Sequence, residues 1–309
     1  MIKEHFFKDT KAVILENDSL KVIVLPELGG KIASVYNKTK DFELLFQNKE
    51  EVYKKAGIYS DFGEYDASGF DDAFPSIDEG IVTVGKNMVR YPDHGEIWSM
   101  GFKYEIAGEK LTLKGESAIL SYSYTKTLSL QGHKLIIDYN IANGGESDIP
   151  CLWAMHCLIR CEEDMQLIFP EGTNRVRNVL KSGYLGEADK IHTYPATTSA
   201  DGKEYRLDRI FPESAAKYEK YYVEGEIAHG VCGAYYPGKD VTYRVYFDSS
   251  KLPYLGFWLT EGGFRGDYNC AMEPANGFYD SIETARNNNS LYMLKAGTSL
   301  SFDLKLELK

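Results

Sequence analysis

Two ionisable residues each stand alone within an otherwise apolar segment of the chain. His156 interrupts the apolar run at residues 152–159, and Glu273 interrupts the run at residues 270–274. A buried carboxylate is uncommon unless it is paired or has a function, and histidine is the side chain that titrates nearest to neutral pH. The two residues together predict a general acid and a general base with different intrinsic pKa values. Taken alone, His156 also fits a hydrogen-bonded histidine of the core.

Three further candidates lie in turn-rich segments. His94 precedes Gly95, Trp98 follows four residues later, and Asp72 lies in a polar segment at residues 68–75. We take His94, Asp72 and Trp98 as candidates for substrate binding. Each also has a simpler interpretation, because His94 fits an exposed loop, Asp72 fits a cap and Trp98 fits a packing residue.

The local motifs of nucleotide and metal sites are missing from the sequence. It contains no G-x-x-x-x-G-K-[ST], no G-x-G-x-x-G opening a helix, no H-E-x-x-H and no C-x-x-C. Cys157 and Cys161 lie near His156, but no second Cys/His pair accompanies them, so buried thiols are the expected interpretation. We therefore expect no cofactor and no metal. Five cysteines without a secretion signal are typical of free thiols in a reducing compartment, which predicts a cytoplasmic protein.

Charge and composition narrow the class of partner. The formal net charge of the 309 residues is −11, which argues against binding to a phosphate backbone or to an anionic membrane surface. The sequence contains no run of 18 apolar residues, so it predicts no membrane span. The sequence therefore favours a neutral or cationic small molecule as partner, with no nucleic acid and no membrane, and it leaves a homodimer open.

Strand patterns dominate the elements that must position these residues. Alternating or β-branched segments recur from residue 11 to residue 308, and turn residues separate them. Helix signals are scarce, and the better candidate is the short segment 213–220 after Pro212. The spacing predicts an all-β antiparallel sandwich with less than about a tenth of its residues in helix. We expect a single domain over residues 1–309, with a loop-rich excursion at about 175–216.

Patches in a fixed order along the chain resemble the aldose 1-epimerase (galactose mutarotase) superfamily, and more closely its divergent aldose-1-epimerase-like branch. The patches cover nearly the whole chain, and their order makes the set more specific than any one of them. They are the segment 24–35 with Leu44-Leu45, Gly69-Phe70-Asp71-Asp72-Ala73-Phe74-Pro75-Ser76-Ile77, Asp93-His94-Gly95-Glu96-Ile97-Trp98, Trp153-Ala154-Met155-His156, and Gly256-Phe257-Trp258 leading to Ala271-Met272-Glu273-Pro274.

This resemblance implies a fold, an activity and residue roles. The fold would be the large galactose mutarotase-like sandwich, and the activity would be the exchange of α and β anomers of a free aldose without a cofactor. Carried over by motif, protonated His156 is the acid, Glu273 is the base and His94 holds the sugar, while Trp98 or Trp258 stacks on it. One departure is that Phe74-Pro75 is followed by Ser76, where the better-studied branch has arginine.

Other functions remain open at this point. A non-catalytic carbohydrate-binding or regulatory protein would keep the sandwich and the aromatic residues. A glycoside hydrolase would need two carboxylates, such as Asp71 or Asp72 with Glu273. A hexose-phosphate epimerase would need a basic pocket, for which Arg90, Arg160 and Arg265 are the candidates.

Overall fold

The computed structural model describes residues 1–65 and 67–309. Half of the chain is strand and 6% is helix, so the predicted all-β class is confirmed. The helical segments are short. They are the α-helix α1 (Ile282–Asn287) and the 3₁₀ turns Phe62–Glu64, Ile97–Ser99, Glu213–Ala215 and Pro237–Lys239. No helix among the described residues has the length and apolar character needed to cross a bilayer.

The strands are distributed over the whole chain. Those before residue 150 are β1 (Ile2–Phe7), β2 (Thr10–Glu16), β3 (Leu20–Leu25), β4 (Lys31–Asn37), β5 (Phe42–Glu43), β6 (Phe70–Ala73), β7 (Gly80–Val84), β8 (Asn87–Tyr91), β9 (Lys103–Ala107), β10 (Lys110–Glu116), β11 (Tyr122–Gln131) and β12 (Lys134–Asn143). Those of the middle are β13 (Ile149–Cys151), β14 (Ala154–Cys157), β15 (Ile159–Arg160), β16 (Gln166–Ile168), β17 (Arg175–Asn178), β18 (Ile191–Thr193), β19 (Ala196–Thr198) and β20 (Glu204–Arg206). The last are β21 (Lys217–Val223), β22 (Val231–Tyr236), β23 (Val241–Phe247), β24 (Tyr254–Glu261), β25 (Tyr268–Ala275), β26 (Tyr292–Leu294) and β27 (Ser299–Leu308).

Two large sheets pack face to face around the main core. Within the described residues, the larger sheet has 13 strands and the order β1-β2-β3-β4-β6-β14-β25-β24-β21-β17-β18, with β5 and β15 attached beside it. The second sheet has eight strands in the order β16-β22-β23-β27-β12-β11-β10-β9. Most of its longer strands alternate as the sequence predicts, although β9 is exposed at every residue. In β11, for example, Tyr122, Tyr124, Lys126 and Leu128 are buried while the residues between them are partly exposed.

The central strands of the larger sheet are buried on both faces. All four residues of β14 are buried, as are seven of the eight residues of β25. One face packs on the second sheet, and loops cover the other. Because successive side chains of a strand point to opposite faces, each of these strands supplies residues both to the core and to the space under the loops.

The segment predicted as a loop-rich excursion contains the short strands β17 to β20. Strand β17 pairs with β21 and with β18, so this segment extends one edge of the larger sheet. Two buried carboxylates fasten it to that sheet. Glu219 accepts a hydrogen bond from the Tyr184 N–H at 2.9 Å, and Glu261 accepts one from the Phe211 N–H at 2.7 Å. Burial raises the pKa of each of these carboxyl groups to about 7.

The predicted helix at residues 213–220 is wrong. A 3₁₀ turn occupies Glu213–Ala215, and the next residue, Ala216, has a left-handed backbone with φ +50°. Strand β21 then begins at Lys217 and pairs along its length with β24. The left-handed residue stops the turn from continuing as an α-helix, and sheet pairing overrides the helix propensity of the segment.

Candidate functional site

A cavity of about 240 Å³ lies over the loop-covered face of the larger sheet. That volume is just below the usual range of about 300–1,000 Å³ for small-molecule sites, so it suits a compact ligand. The lining residues come from the sheet and from three loops. They are Asp61, Phe62, Gly63, Ala67, Asp93, His94, His156, Leu158, Lys220, Trp258, Phe264, Asp267, Asn269 and Glu273.

Four adjacent strands bring the ionisable residues together. His156 is on β14 and Glu273 is on the neighbouring β25, whose register pairs Glu273 with Gly256 of β24. Lys220 is on β21, opposite Trp258 of β24. The pleat places these side chains on one face of the sheet. The predicted convergence of His156 and Glu273 on one cleft, with His94 in its wall, agrees with this geometry.

Glu273 is buried with an incomplete set of partners. Its side chain is 1% exposed, and neither carboxylate oxygen accepts a hydrogen bond from the described residues. Burial raises the pKa of this carboxyl group to about 6, against the lowering effect of Lys220, whose Nζ lies 3.7 Å from Glu273 Oε2. Gly256 makes room for the carboxylate, because a Cβ there would lie 3.0 Å from the same oxygen. A buried, unsatisfied carboxylate is poised to accept a proton.

His156 lies with its ring edge-on to two other rings. Its ring centroid is 5.0 Å from that of Phe62 and 5.0 Å from that of His94. Burial, followed by the neighbouring His94 and Lys220, holds the pKa of His156 well below its usual range. His156 is therefore a neutral imidazole at pH 7, whereas the assignment made from the sequence used a protonated one. Its Nδ1 is buried without a hydrogen-bond partner among the described residues.

The loop residue His94 is held from two sides. Its Nδ1 lies 2.8 Å from Asp93 Oδ1, and the Phe62 ring stacks on the imidazole at 4.2 Å. The other oxygen of Asp93 accepts the Phe62 N–H at 2.8 Å. Although burial raises the pKa of the Asp93 carboxyl, the hydrogen bonds from His94 and Phe62 outweigh it and lower that pKa. The side chain of Asp93 thus fixes both the imidazole and the aromatic ring that covers it.

Aromatic side chains form one wall of the cavity. The Trp258 ring lies 5.6 Å from that of Phe264, nearly perpendicular to it, and 5.9 Å from the ring of Tyr218. Phe264 lines the cavity and is exposed, so the wall reaches the mouth of the cavity. Trp258 is therefore placed where an apolar ligand face would contact it.

The prediction that Asp72 binds substrate is wrong. Its carboxylate faces the core, where it accepts hydrogen bonds from Lys126 Nζ at 2.9 Å and from the Tyr139 hydroxyl at 2.9 Å. The pleat explains this position, because Asp71 pairs with His156 while Asp72 pairs with Met155 on the opposite face. Neither Asp71 nor Asp72 lines the cavity, so neither of the two pairs named for the hydrolase alternative, Asp71 or Asp72 with Glu273, is formed there.

Trp98 does not line the cavity either. Its indole N–H donates to the Asp93 carbonyl oxygen at 2.9 Å, and its ring packs edge-on against Phe62 at 5.1 Å. The residue lies behind Phe62 and supports it. The simpler interpretation of Trp98, a packing residue, is therefore the correct one.

Residues of the cavity that sequence reasoning missed include Lys220, Asp267 and Asn269. Lys220 fell within the segment predicted as helix, although the three tyrosines and the valine of residues 217–223 are a signal for a strand. The side-chain oxygen of Asn269 is buried without a hydrogen-bond partner among the described residues. No group of three His, Cys, Asp or Glu side chains in the described part of the chain has the arrangement of a metal site.

Solved structures of other proteins superpose on nearly the whole of this chain. The Slr1438 protein from Synechocystis sp. PCC 6803 superposes with a TM-score of 0.73 at 17% identity, covering 97% of this chain and 96% of that one. A galactose mutarotase-like protein from Lactobacillus casei ATCC 334 superposes with a TM-score of 0.71 at 17% identity, covering 96% and 100%. One from Clostridium acetobutylicum gives 0.66 at 16%, covering 100% and 98%.

These likenesses confirm, at the level of the fold, the resemblance found in the sequence. A family model described as a domain of unknown function, DUF5107, matches residues 4–289. The chain therefore belongs to the DUF5107 family, and it has the galactose mutarotase-like sandwich fold.

Proposed function

We propose that the protein interconverts the α and β anomers of a free aldose. The observation that carries this proposal is a set of four buried polar atoms that lack hydrogen-bond partners among the described residues and that belong to residues lining one small cavity. They are His156 Nδ1, Asn269 Oδ1 and both carboxylate oxygens of Glu273. Buried polar atoms are normally satisfied, so such a cluster calls for a small ligand rich in hydroxyl groups.

The reaction needs a base and an acid on opposite sides of one edge of the sugar. Glu273 takes the proton of the C1 hydroxyl, and His156 gives a proton to the ring oxygen as the bond between C1 and that oxygen breaks. The open aldehyde rotates about its C1–C2 bond and closes on the other face, which returns both protons. The product is an isomer of the substrate, so no electrons are transferred and no group is lost.

The environment of His156 sets how it acts as an acid. Because its pKa is held below the usual range, its imidazolium form is scarce at neutral pH and is a stronger acid when it does form. His94, held by Asp93, lies within 5.0 Å of the His156 ring between centroids. We assign His94 the role of holding a hydroxyl or the ring oxygen, and Trp258 the role of contacting the apolar face of the sugar.

Charges around the cavity favour an unphosphorylated sugar. Besides Glu273 the lining contains Asp61, Asp93 and Asp267, and its lysine is already paired with an aspartate. The arginine candidates for a phosphate site are engaged elsewhere. Arg265 donates to the carbonyl oxygens of Gly63 and Tyr65, Arg90 pairs with Glu79, and Arg160 pairs with Glu162.

The test is anomer exchange measured by NMR on a panel of free and phosphorylated aldoses, with Glu273→Gln as the matched control. We expect exchange above the spontaneous rate for at least one free aldose, and loss of that excess in the control. A sugar that binds to both proteins while neither accelerates exchange would replace the epimerase by a carbohydrate-binding protein.

A further inference from the structure

Lys220 lies in the floor of the cavity and has no part in the steps above. It belongs to β21, lines the cavity and is 9% exposed. Lysine is almost never buried to this extent unless it is paired. The identity and spacing of its partners therefore indicate what it does.

Two carboxylates face the ammonium group of Lys220 at different distances. Asp280 Oδ2 lies 2.8 Å from Nζ, whereas Glu273 Oε2 lies 3.7 Å from it. Asp280 is itself fixed, because its Oδ1 accepts a hydrogen bond from the Tyr222 hydroxyl at 2.7 Å. The ammonium group is therefore held by Asp280, close to Glu273 but without a hydrogen bond to it.

The spacing matters because the oxygens of Glu273 have to remain free. A cation bonded directly to the carboxylate would keep it ionised but would occupy an oxygen that has to receive the sugar proton. A cation just outside hydrogen-bond distance supplies most of the same electrostatic attraction, which falls off only as the inverse of distance. Both oxygens of Glu273 then remain available to a ligand.

Other charges face this pair from each surrounding element. Asp280 opposes Lys220 by raising the pKa of Glu273, whereas His94, on the loop, lowers it. Asp78 adds a further negative charge next to Asp280, and its backbone N–H donates to the Asp280 carbonyl oxygen at 2.9 Å. His156 lies on the adjacent strand β14 and is neutral at pH 7. Among these groups, Lys220 has the largest effect in lowering the pKa of the Glu273 carboxyl.

We propose that Lys220 is a positioning residue, anchored by Asp280, that keeps Glu273 ionised while leaving both of its oxygens free for the sugar. The part of this inference that concerns catalysis rests on the proposed function. The electrostatic relation between the two side chains is a property of the protein with or without a substrate.

The experiment titrates Glu273 directly in the protein labelled with ¹³C at the glutamate side-chain carboxyl, with Glu273→Gln identifying its resonance. In Lys220→Met we expect the midpoint to rise by about 1–3 pH units, the usual effect of a nearby opposite charge. In the matched control Lys220→Arg, which keeps the charge, the midpoint stays closer to the parent value. An unchanged midpoint in a folded Lys220→Met protein overturns the inference.

A second variant keeps the test decisive if Lys220→Met does not fold. Asp280→Asn removes the like charge near Glu273 and frees Lys220 to approach it. The loss of the like charge and the closer approach of Lys220 each lower the midpoint of the Glu273 titration. A midpoint at or above the parent value therefore contradicts the proposed arrangement.

Rates supply an independent readout. The ratio of the Lys220→Met rate to the parent rate should rise between pH 6 and pH 9, because Glu273 becomes ionised in both proteins and because the loss of Lys220 also raises the pKa of His156. A purely structural defect would lower the rate equally at every pH. If the parent exchanges no anomers on any aldose, the proposed function fails, and the midpoint of Glu273 still decides the role of Lys220.

Discussion

A lysine–carboxylate pair lies at each face of the larger sheet, Asp72 with Lys126 on the core side and Glu273 with Lys220 on the cavity side, and these pairs differ in how completely they are bonded. On the core side, Asp72 and Lys126 are both fully buried at 2.9 Å, and the second oxygen of Asp72 accepts the Tyr139 hydroxyl. On the cavity side, Lys220 lies 3.7 Å from Glu273, whose oxygens accept no hydrogen bond from the described residues.

The difference distinguishes a pair whose oxygens are bonded within the protein from one whose oxygens remain available to a ligand. The core pair joins the two sheets, because Asp72 belongs to β6 while Lys126 and Tyr139 belong to β11 and β12. Its bonding capacity is used within the protein. The cavity pair leaves bonding capacity unused, which is unfavourable for folding and useful only if a ligand supplies the missing partners.

The largest effect on stability is expected from breaking the core pair. Asp72→Ala leaves Lys126 as a buried charge without its carboxylate, so the free energy of unfolding should fall by about 3–5 kcal/mol. Denaturant unfolding followed by fluorescence measures it. The double variant Asp72→Ala with Lys126→Met removes both charges and should lose less. A single variant as stable as the parent would refute the comparison.

Removing the base or the acid of the cavity is expected to lower the rate and to leave the fold intact. Glu273→Gln keeps the shape of the base and removes its proton affinity, and His156→Asn keeps hydrogen bonding and removes the acid. Each should lower enzyme-accelerated anomer exchange by roughly two orders of magnitude or more. Circular dichroism and thermal unfolding serve as controls. Parent rates in both variants would rule out the proposed mechanism.

A smaller effect is expected from the histidine in the wall. His94→Asn removes the imidazole that Asp93 orients but keeps a hydrogen-bond donor near the sugar. Exchange should fall by up to roughly tenfold, the upper value for a single hydrogen bond between neutral groups, and the loss should appear mainly in KM. A loss as large as that in Glu273→Gln, confined to kcat, would make His94 the acid instead.

The smallest effect is a displacement of the pH optimum. Exchange needs Glu273 to be ionised, so the rate should fall at low pH as Glu273 becomes protonated. It also needs His156 to be protonated, so the rate should fall again as the pH rises. The pKa of Glu273 is about 6 and that of His156 lies below its ordinary 6.5. The maximum in kcat/KM should therefore lie on the acid side of neutrality. The two apparent pKa values of this pH profile belong to His156 and Glu273 as a pair and not to either residue alone. A maximum at pH 8 would contradict this assignment.

The fold and the pair His156 and Glu273 were predictable from sequence, because each depends on a local contrast. Alternation in β11 and β27 marks strands with one covered face, and a single ionisable residue in an apolar strand marks a buried polar group. These signals need no knowledge of neighbouring strands.

The face of Asp72 and the position of Lys220 depend on the tertiary structure. Asp71 and Asp72 are adjacent, so one must face each side of the sheet, and only the pairing with Met155 and His156 decides which. Lys220 was missed because residues 213–220 favour a helix by local propensity, and a left-handed Ala216 together with pairing to β24 reverses that preference. The charge of His156 likewise depends first on its burial in the folded protein and then on His94 and Lys220 from distant segments.

Asp93 has a consequence for how the cavity is assembled. One oxygen holds His94 and the other holds the backbone of Phe62, so a single carboxylate joins two loops that are about 30 residues apart in sequence. The Phe62 ring in turn covers both His94 and His156. The shape of the cavity opening and the orientation of the two imidazole rings therefore depend on the same carboxylate. Natural variation at position 93 would change both of them together.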